Sequence, residues 1–321
     1  MKAIVCEMCS GNNLIKENGY FVCQNCGTKY TVEEARKLMI EGPIDVSGSI
    51  VKIDNSLNRE NLFVLSENAF KSNNFLEAEQ YCNKTLEIDA NEYKAWLIKG
   101  KAIHRQTTLT YNRIEEALNC FLEAEHLAPI DQKENVLMQI SEELFGSNHS
   151  LVRKCCNEYK NSPCENRAND IIASINEVLI PTSTVAVKLG IQHRTQMQAI
   201  ASYITNLSIS TWNDVYSSFT KEKYPQEYMR LNLVDRTREV TQLVNYSISL
   251  IDDDKAKDLQ RYISLININS FVLRAWSYKY SSVKHKYIKD NCMSTNEKQI
   301  INNMILIWKN KIREINPNHQ I

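Results

Sequence analysis

Apolar residues recur every three to four positions along most of this chain, a spacing that places them on one face of an α-helix. From residue 131 to residue 315 the pattern breaks at Pro181 and Pro225, and Pro317 follows its end. We predict a helix from Asp131, as its N-cap, to Gly146. Further helices are predicted over 151–160, 165–179, 195–207, 211–221, 226–250, 255–266, 270–289 and 295–315. This region, 132–321, is therefore expected to be a helical bundle or an irregular helical continuation of the region before it.

A repeat of about 34 residues begins near Arg59 and predicts paired helices. In the first unit, Asn73 and Asn74 form a turn, and the second helix runs over 75–88. The second unit begins at Tyr93. A helix pair of this kind cannot bury its apolar face alone, so the two units must stack on each other and on the helices that follow.

The second unit has small and large residues at fixed offsets, and it resembles a tetratricopeptide repeat in doing so. These residues are Trp96, Gly100, Ala117, Phe121, Ala124 and Pro129. The unit departs from the family in about five extra residues near 106–112. The first unit has Ser66 where the family usually has Gly, and Ala90 where it usually has Pro. A generic pair of helical hairpins over 59–131 is the alternative.

What the resemblance implies is a concave surface that holds a protein or peptide partner. Trp96 and Lys99 are candidate partner-binding residues of this surface. Cys82 and Cys120 fall on the inner faces of the helices and are expected to be small buried residues.

Two C-x-x-C pairs lie near the N-terminus: Cys6 with Cys9, and Cys23 with Cys26. Zinc prefers four tetrahedral ligands, and thiolates suit it well. Two short strands are predicted between the pairs, joined at Asn18-Gly19, which is a strong hairpin signal.

This segment resembles a zinc ribbon of the transcription-factor type, in which two cysteine knuckles are joined by a β-hairpin. The resemblance implies one structural Zn²⁺ held by all four cysteines, with Tyr20, Val22 and Tyr30 covering it. A rubredoxin-like iron site is the alternative. Four thiolates leave no open coordination position, so no metal-bound water is expected.

Capping-box spacing occurs at Thr31 with Glu34 and at Ser294 with Glu297, and it marks helix starts. The first of these helices should end near Ile40 and complete a ribbon domain over 1–41. Residues 44–53 alternate apolar with small or polar residues, so 42–58 is expected to be an extended strand or linker.

Residues 271–289 interleave aromatic residues with the basic Arg274, Lys279, Lys284 and Lys286. Such a segment can grip phosphates and stack on bases, or bind an anionic membrane surface. The simpler alternative, which we favour, is an amphipathic helix whose aromatic residues pack inward. Residues 255–321 hold 12 Lys/Arg against 4 Asp/Glu, although the whole chain is neutral.

Other polar and thiol clusters carry weaker signals. Cys155, Cys156 and Cys164, with His149 nearby, could hold a second metal, but adjacent helical positions diverge by about 100°, and buried thiols are favoured. The acidic run 252–254 could hold a cation, although a solvated helix cap is favoured.

Composition then bounds the function. Only 8 Gly and 6 Pro occur in 321 residues, which supports a mainly α fold with one small β zinc ribbon. No signal peptide or membrane span is predicted, so the ten cysteines suggest the cytoplasm. No nucleophile elbow, phosphate loop or H-E-x-x-H motif is present, which favours a non-enzyme. We expect a protein-interaction adaptor; the alternative is a nucleic-acid-associated factor that uses the ribbon and the 271–289 helix.

Overall fold

The computed structural model describes residues 6–9, 13–17, 19–35, 56–251 and 254–320. Two compact units make up the chain, residues 1–55 and residues 56–321. The predicted helix end at Ile40 and the predicted extended segment 44–53 lie outside the described residues.

The first unit contains a three-stranded antiparallel sheet in the order β1–β2–β3. Its strands are β1 (Leu14–Glu17), β2 (Tyr20–Cys23) and β3 (Lys29–Tyr30). Glu17 pairs with Tyr20, so a two-residue turn joins β1 to β2, and Gly19 takes the positive φ of 87° that such a turn needs. A helix begins at Val32, and Thr31 and Glu34 form the predicted capping box in front of it.

The second unit begins with four helices joined by short connections. They are α1 (Ser56–Lys71), α2 (Phe75–Ile88), α3 (Tyr93–Gln106) and α4 (Ile114–Leu127). The predicted starts at residues 75 and 93 are confirmed. Connections this short force successive helices to pack antiparallel. Seven residues, 107–113, connect α3 to α4, at the place where the sequence has its extra residues near 106–112.

Further helices follow, some longer than the sequence pattern predicts and others within a residue of their predicted bounds. They are α5 (Lys133–Asn161), α6 (Glu165–Ser174), α7 (Ile180–Lys188), α8 (Arg194–Lys221), α9 (Glu227–Ser249), α10 (Lys255–Arg274) and α11 (Thr295–Ile315). The helices predicted to end at Gly146 and to begin at 151 are one helix, α5. Those predicted over 195–207 and 211–221 are likewise one helix, α8. Asp131 does not cap α5, since Gln132 holds the N-cap position.

Pro181 does not end a helix as predicted. A π-helical turn, Ile175–Leu179, joins α6 to α7 in one continuous helical run, and Pro181 lies two residues after this wider turn. Among the described helices, the run Glu165–Lys188 is long and apolar enough by composition to cross a membrane. Half of its most apolar window is buried inside the unit, as in the core helix of a globular protein.

The largest correction concerns residues 271–289, which we expected to form one amphipathic helix. The helix α10 ends at Arg274, and a β-hairpin follows, made of β4 (Ser277–Ser281) and β5 (Lys286–Asp290). Its aromatic side chains are not packed inward: Tyr280 is 54% exposed and Tyr287 is 62% exposed. The capping box at Ser294 and Glu297 then starts α11, as predicted.

Apolar contacts run through the helical unit in successive clusters. One cluster joins α3, α4 and the first half of α5 to α7, and includes Phe121 and Ile140. A second joins the end of α5 to α6 and α8, and a third joins α8, α9, α10 and α11 around Trp212 and Trp308. The helical region therefore has a substantial buried interior, independent of any metal.

Candidate metal centre

The four predicted ligands converge in the first unit. The sulfurs of Cys6, Cys9, Cys23 and Cys26 all lie within 4.8 Å of one another. Two cross-knuckle distances are 3.6 Å: Sγ of Cys6 to Sγ of Cys26, and Sγ of Cys9 to Sγ of Cys23. A disulfide bond would bring two sulfurs to about 2.05 Å, so these are free thiols placed around a common centre.

Zinc fits this spacing. A Zn–S bond of about 2.3 Å in a tetrahedron separates neighbouring sulfurs by about 3.8 Å, close to what the cysteines show. A zinc ribbon with four cysteines so close together holds one structural Zn²⁺. All four coordination positions are then taken by protein, so the ion can stabilise the fold but has no position for a substrate or water.

Local backbone geometry explains how the second knuckle forms. The amide of Gly27 donates to the carbonyl of Cys23 at 2.8 Å, and the amide of Cys23 donates to the carbonyl of Thr28 at 2.9 Å. Gly27 has a φ of 75°, a left-handed conformation that a residue with a side chain adopts only with strain. The glycine after the second C-x-x-C pair therefore allows the tight turn predicted from the sequence.

Tyr30 supports the ligands from β3. Its hydroxyl lies 3.1 Å from the sulfur of Cys6 and accepts the amide of Glu7, also at 3.1 Å. This hydrogen bond lowers the pKa of Cys6 to about 6, which favours the thiolate that a metal requires. Hydrogen bonds from the hydroxyl and the amide of Thr28 lower the pKa of Cys26 in the same way.

The expected cover of the site is only partly correct. Tyr30 is buried, but Tyr20 is 48% exposed, and Phe21 and Leu14 pack against the cysteines instead. Side chains alternate along a strand, so in β2 the residue sharing a face with Cys23 is Phe21. Tyr20 and Val22 necessarily point to the other face.

The candidate partner-binding residues fall in two places in the second unit. The indole N–H of Trp96 donates to the carbonyl of Ala90 at 2.9 Å, and the ammonium of Lys99 lies 5.2 Å from the Trp96 ring centroid. Both side chains are half-buried beside the turn that joins α2 to α3. The Trp96 side chain is hydrogen-bonded to this turn, and a partner contact by Trp96 or Lys99 stays a prediction.

The basic candidates gather at the hairpin. Lys279 lies on β4, Lys284 in the turn and Lys286 on β5, and Arg274 ends α10 just before it. Lys279 forms an ion pair with Glu227 at 2.7 Å. From the sequence we expected the tyrosines beside these cations to pack into a helix core, but Tyr280 and Tyr287 are exposed. Their spacing of two, Tyr278 with Tyr280, was the signal for a strand.

One further cluster of potential ligands lies at the base of this hairpin among the described residues. Oxygens of Glu227 and Asp290 and the sulfur of Cys292 lie within 4.8 Å of one another. Lys279 already neutralises Glu227, and the charge of Asp290 acts on the fully buried Arg230. Lys279 and Arg230 thus supply the positive charge that a bound metal ion would bring to these carboxylates.

The weaker candidates separate in the structure. Cys155 and Cys156 are buried, whereas Cys164 is exposed. Among the described residues, these cysteines form no cluster of potential metal ligands. The His149 side chain is not among the described parts of the chain. Asp254 is at the N-cap of α10 without a side-chain cap bond, 3.8 Å from Arg261, whereas Asp252 and Asp253 are not among the described residues. The predicted burial of Cys82 and Cys120 is confirmed.

Comparison with known proteins adds one finding. A family model described as a zinc ribbon domain matches residues 1–32. No curated protein and no solved structure matches the chain. The N-terminal segment is thus similar to the zinc ribbons of that family, and it carries four cysteines placed to hold one zinc ion.

Proposed function

We propose that this protein is a non-catalytic adaptor, in which a zinc-stabilised ribbon and a pair of tetratricopeptide-like helical hairpins each serve protein–protein contacts. The observation that carries the proposal is the stacking of α1, α2, α3 and α4 with small residues at matching positions. Ala78 on α2 and Ala117 on α4 correspond in the two units, and both are fully buried.

The close approach of α3 to α4 supports the repeat assignment. A Cβ built on Gly100 would lie 2.8 Å from two ring carbons of Phe121, so only glycine allows this packing. Trp96, Gly100, Ala117 and Phe121 therefore occupy positions that resemble those of a tetratricopeptide repeat. This favours the repeat over a generic helical hairpin, in which no such residue order is required.

Alternate helices share a surface, which we call the α1–α3–α5 face and define by Glu67, Lys101 and Glu142. Burial lowers the pKa of Lys101, and the charges of the acidic Glu143, Glu142 and Glu67 oppose that shift. Its ammonium donates to the side chain of Gln139 on α5 at 2.8 Å. In repeat proteins such a surface, built from equivalent helices, binds extended segments of other proteins.

The proposal includes a reducing, cytoplasmic setting and no catalysis. All ten cysteines are free, and the zinc ligands would be lost to oxidation outside such a setting. The ribbon serves as a folded contact module and not as a catalyst, since four thiolates occupy every coordination position of the zinc ion.

Affinity purification with matched charge-reversal variants tests the adaptor proposal. The chain is immobilised, incubated with lysate from its source cells, and the retained proteins are quantified by mass spectrometry. The test variant is Glu67→Lys with Glu142→Lys, on the α1–α3–α5 face. The control is Glu87→Lys with Glu123→Lys, which makes the same charge change at exposed positions of α2 and α4.

We expect specific proteins on the wild type and the control variant, and loss of at least one of them from the test variant. Circular dichroism establishes that all three chains are equally helical. The adaptor proposal is wrong if the wild type retains no specific protein, or if the test and control variants retain the same set in the same amounts.

A further inference from the structure

The hairpin formed by β4 and β5 presents an aromatic surface to solvent. In an antiparallel pair, directly opposed residues point to the same face. Tyr280 on β4 is opposite Tyr287 on β5. Two residues earlier on β4, Tyr278 is opposite Lys289, so these four side chains point to the same face. The rings of Tyr280 and Tyr287 lie edge to face with centroids 5.5 Å apart, although more than half of each side chain is exposed.

The segment before α9 extends this surface. Gln226 forms a parallel bridge with Tyr278, whose amide donates to the carbonyl of Pro225 at 2.9 Å. The bridge brings Tyr224 beside Tyr278, with centroids 5.1 Å apart and ring planes at 84°. Tyr224 is itself 56% exposed. We call the four tyrosines 224, 278, 280 and 287 the tyrosine face.

Cations surround the tyrosine face. Lys284 lies in the turn and Lys289 shares the face of Tyr278; both are exposed, and neither forms an ion pair with any residue in the described part of the chain. Lys223 lies 5.5 Å from the ring centroid of Tyr224. The acids nearby are Glu222, Asp290 and Glu227, the last already paired with Lys279. The turn and the outer ends of both strands therefore keep a net positive charge.

This combination has a specific ligand chemistry. Exposed tyrosine rings offer flat apolar faces on which bases can stack, and lysines beside them can contact phosphates. Positions of like orientation on one strand are about 6.6 Å apart, a spacing over which the backbone of an unpaired strand can spread its bases. In a duplex the base faces are covered by their neighbours, so this surface suits a single strand. An anionic membrane would instead select apolar side chains at the tip, where only Val283 is apolar.

We propose that the tyrosine face, with Lys284 and Lys289, binds single-stranded nucleic acid through base stacking and phosphate contacts. This function is independent of the α1–α3–α5 face and of the adaptor proposal. It differs from the favoured expectation of an amphipathic 271–289 helix, because the aromatic residues are part of the binding surface instead of a core, and it places the base stacking of the nucleic-acid alternative on a β-hairpin.

Fluorescence anisotropy of labelled oligonucleotides on the full zinc-loaded chain tests this proposal. The probes are a single strand of about ten deoxythymidines, its ribose counterpart, and a duplex of the same length, titrated from low to moderate salt. Vesicles of neutral lipid with and without phosphatidylserine form a separate arm. We expect tighter binding to the single strands than to the duplex, and affinity that falls as salt rises.

Variants separate stacking from charge. Tyr280→Ala with Tyr287→Ala should raise Kd at least about five-fold, whereas Phe at both positions should keep most of the affinity because the ring remains. The control is Tyr111→Ala, at a tyrosine that is 57% exposed on the α3–α4 connection. It should leave Kd unchanged.

Lys284→Ala with Lys289→Ala should reduce the slope of log affinity against log salt by about 1.4, since each single-strand phosphate contact contributes about 0.7. Lys154→Ala with Lys160→Ala removes the same charge from exposed positions on α5 and should not change the slope. The proposal fails if no oligonucleotide binds at low salt, if the tyrosine variants bind as the wild type does, or if only anionic vesicles bind. Each of these outcomes leaves the adaptor proposal unaffected.

Discussion

Gly100 offers a direct test of how the two hairpins pack. An added Cβ would meet Cδ1 and Cε1 of Phe121 at 2.8 Å and the carbonyl oxygen of Ala117 at 3.2 Å. Phe121 is fully buried and cannot swing into solvent. Gly100→Ala must therefore move α3 away from α4 or force the ring from its place.

The size of the effect follows from two opposing contributions. Overpacking of a buried site costs about 1–3 kcal/mol. Replacing glycine by alanine inside a helix gains about 1 kcal/mol. Gly146 in α5 provides the matched control, since it is also inside a helix but has no atom within 4 Å of its added Cβ. Gly146→Ala should therefore stabilise by about 1 kcal/mol, and Gly100→Ala should be about 1–3 kcal/mol less stable than Gly146→Ala.

Urea unfolding followed by far-UV circular dichroism measures both variants against the wild type. We expect the midpoint to rise for Gly146→Ala and to fall, or at best stay level, for Gly100→Ala, with similar slopes for all three proteins. Equal stabilisation by the two substitutions would refute the close contact of α3 with Phe121, and with it the strongest support for a repeat-like packing.

Two further predictions concern single hydrogen-bonded sites. Burial of Glu143 opposes its ionisation, but hydrogen bonds from His104 and Arg105 outweigh that and lower its pKa to about 2. Because this folded-state pKa lies below the ordinary 4.5, the stability contributed by ionised Glu143 is present above about pH 4.5 and is lost as the pH falls toward 2, in total about 3 kcal/mol. Urea unfolding at a series of pH values measures this loss. A Glu143→Gln chain with the same acid dependence would contradict the assignment to Glu143. Tyr30→Phe removes the hydroxyl beside Cys6 and should weaken zinc binding about ten-fold or more. Competition with a chelator measures the zinc affinity. An unchanged affinity would show that this hydrogen bond does not support the Cys6 ligand.

The metal centre was predictable from sequence because its determinants are local. The C-x-x-C spacing sets the positions of two sulfurs within one turn, and Gly27 marks the backbone conformation that the knuckle needs. The same holds for the helix starts at residues 75 and 93, where turn residues interrupt the helical pattern. In each case a few neighbouring residues determine the outcome.

Features that depend on distant contacts were less predictable. The tyrosines of 277–289 fit either a helix core or a strand face; their spacing of two favours the strand, and the pairing of β4 with β5 forms it, with one added bridge from Gln226 to Tyr278. Gly146 and Pro181 were interpreted as helix ends, although tertiary packing carries the helices through both positions. By contrast, the packing of Phe21 beside the metal ligands was available from the sequence, since Cys23 was a predicted ligand and side chains two apart on a strand share a face.

The central claim is that one zinc ion is held by four cysteines and stabilises only the N-terminal unit. Native mass spectrometry of the wild type and of the Cys23→Ser, Cys26→Ser variant, with far-UV circular dichroism of both, tests it most directly. The account predicts one zinc per wild-type chain, none in the variant, and nearly equal helical signal, because the helical unit has its own apolar interior. Iron in place of zinc, zinc retained by the variant, or collapse of the helical signal on its loss would contradict the account.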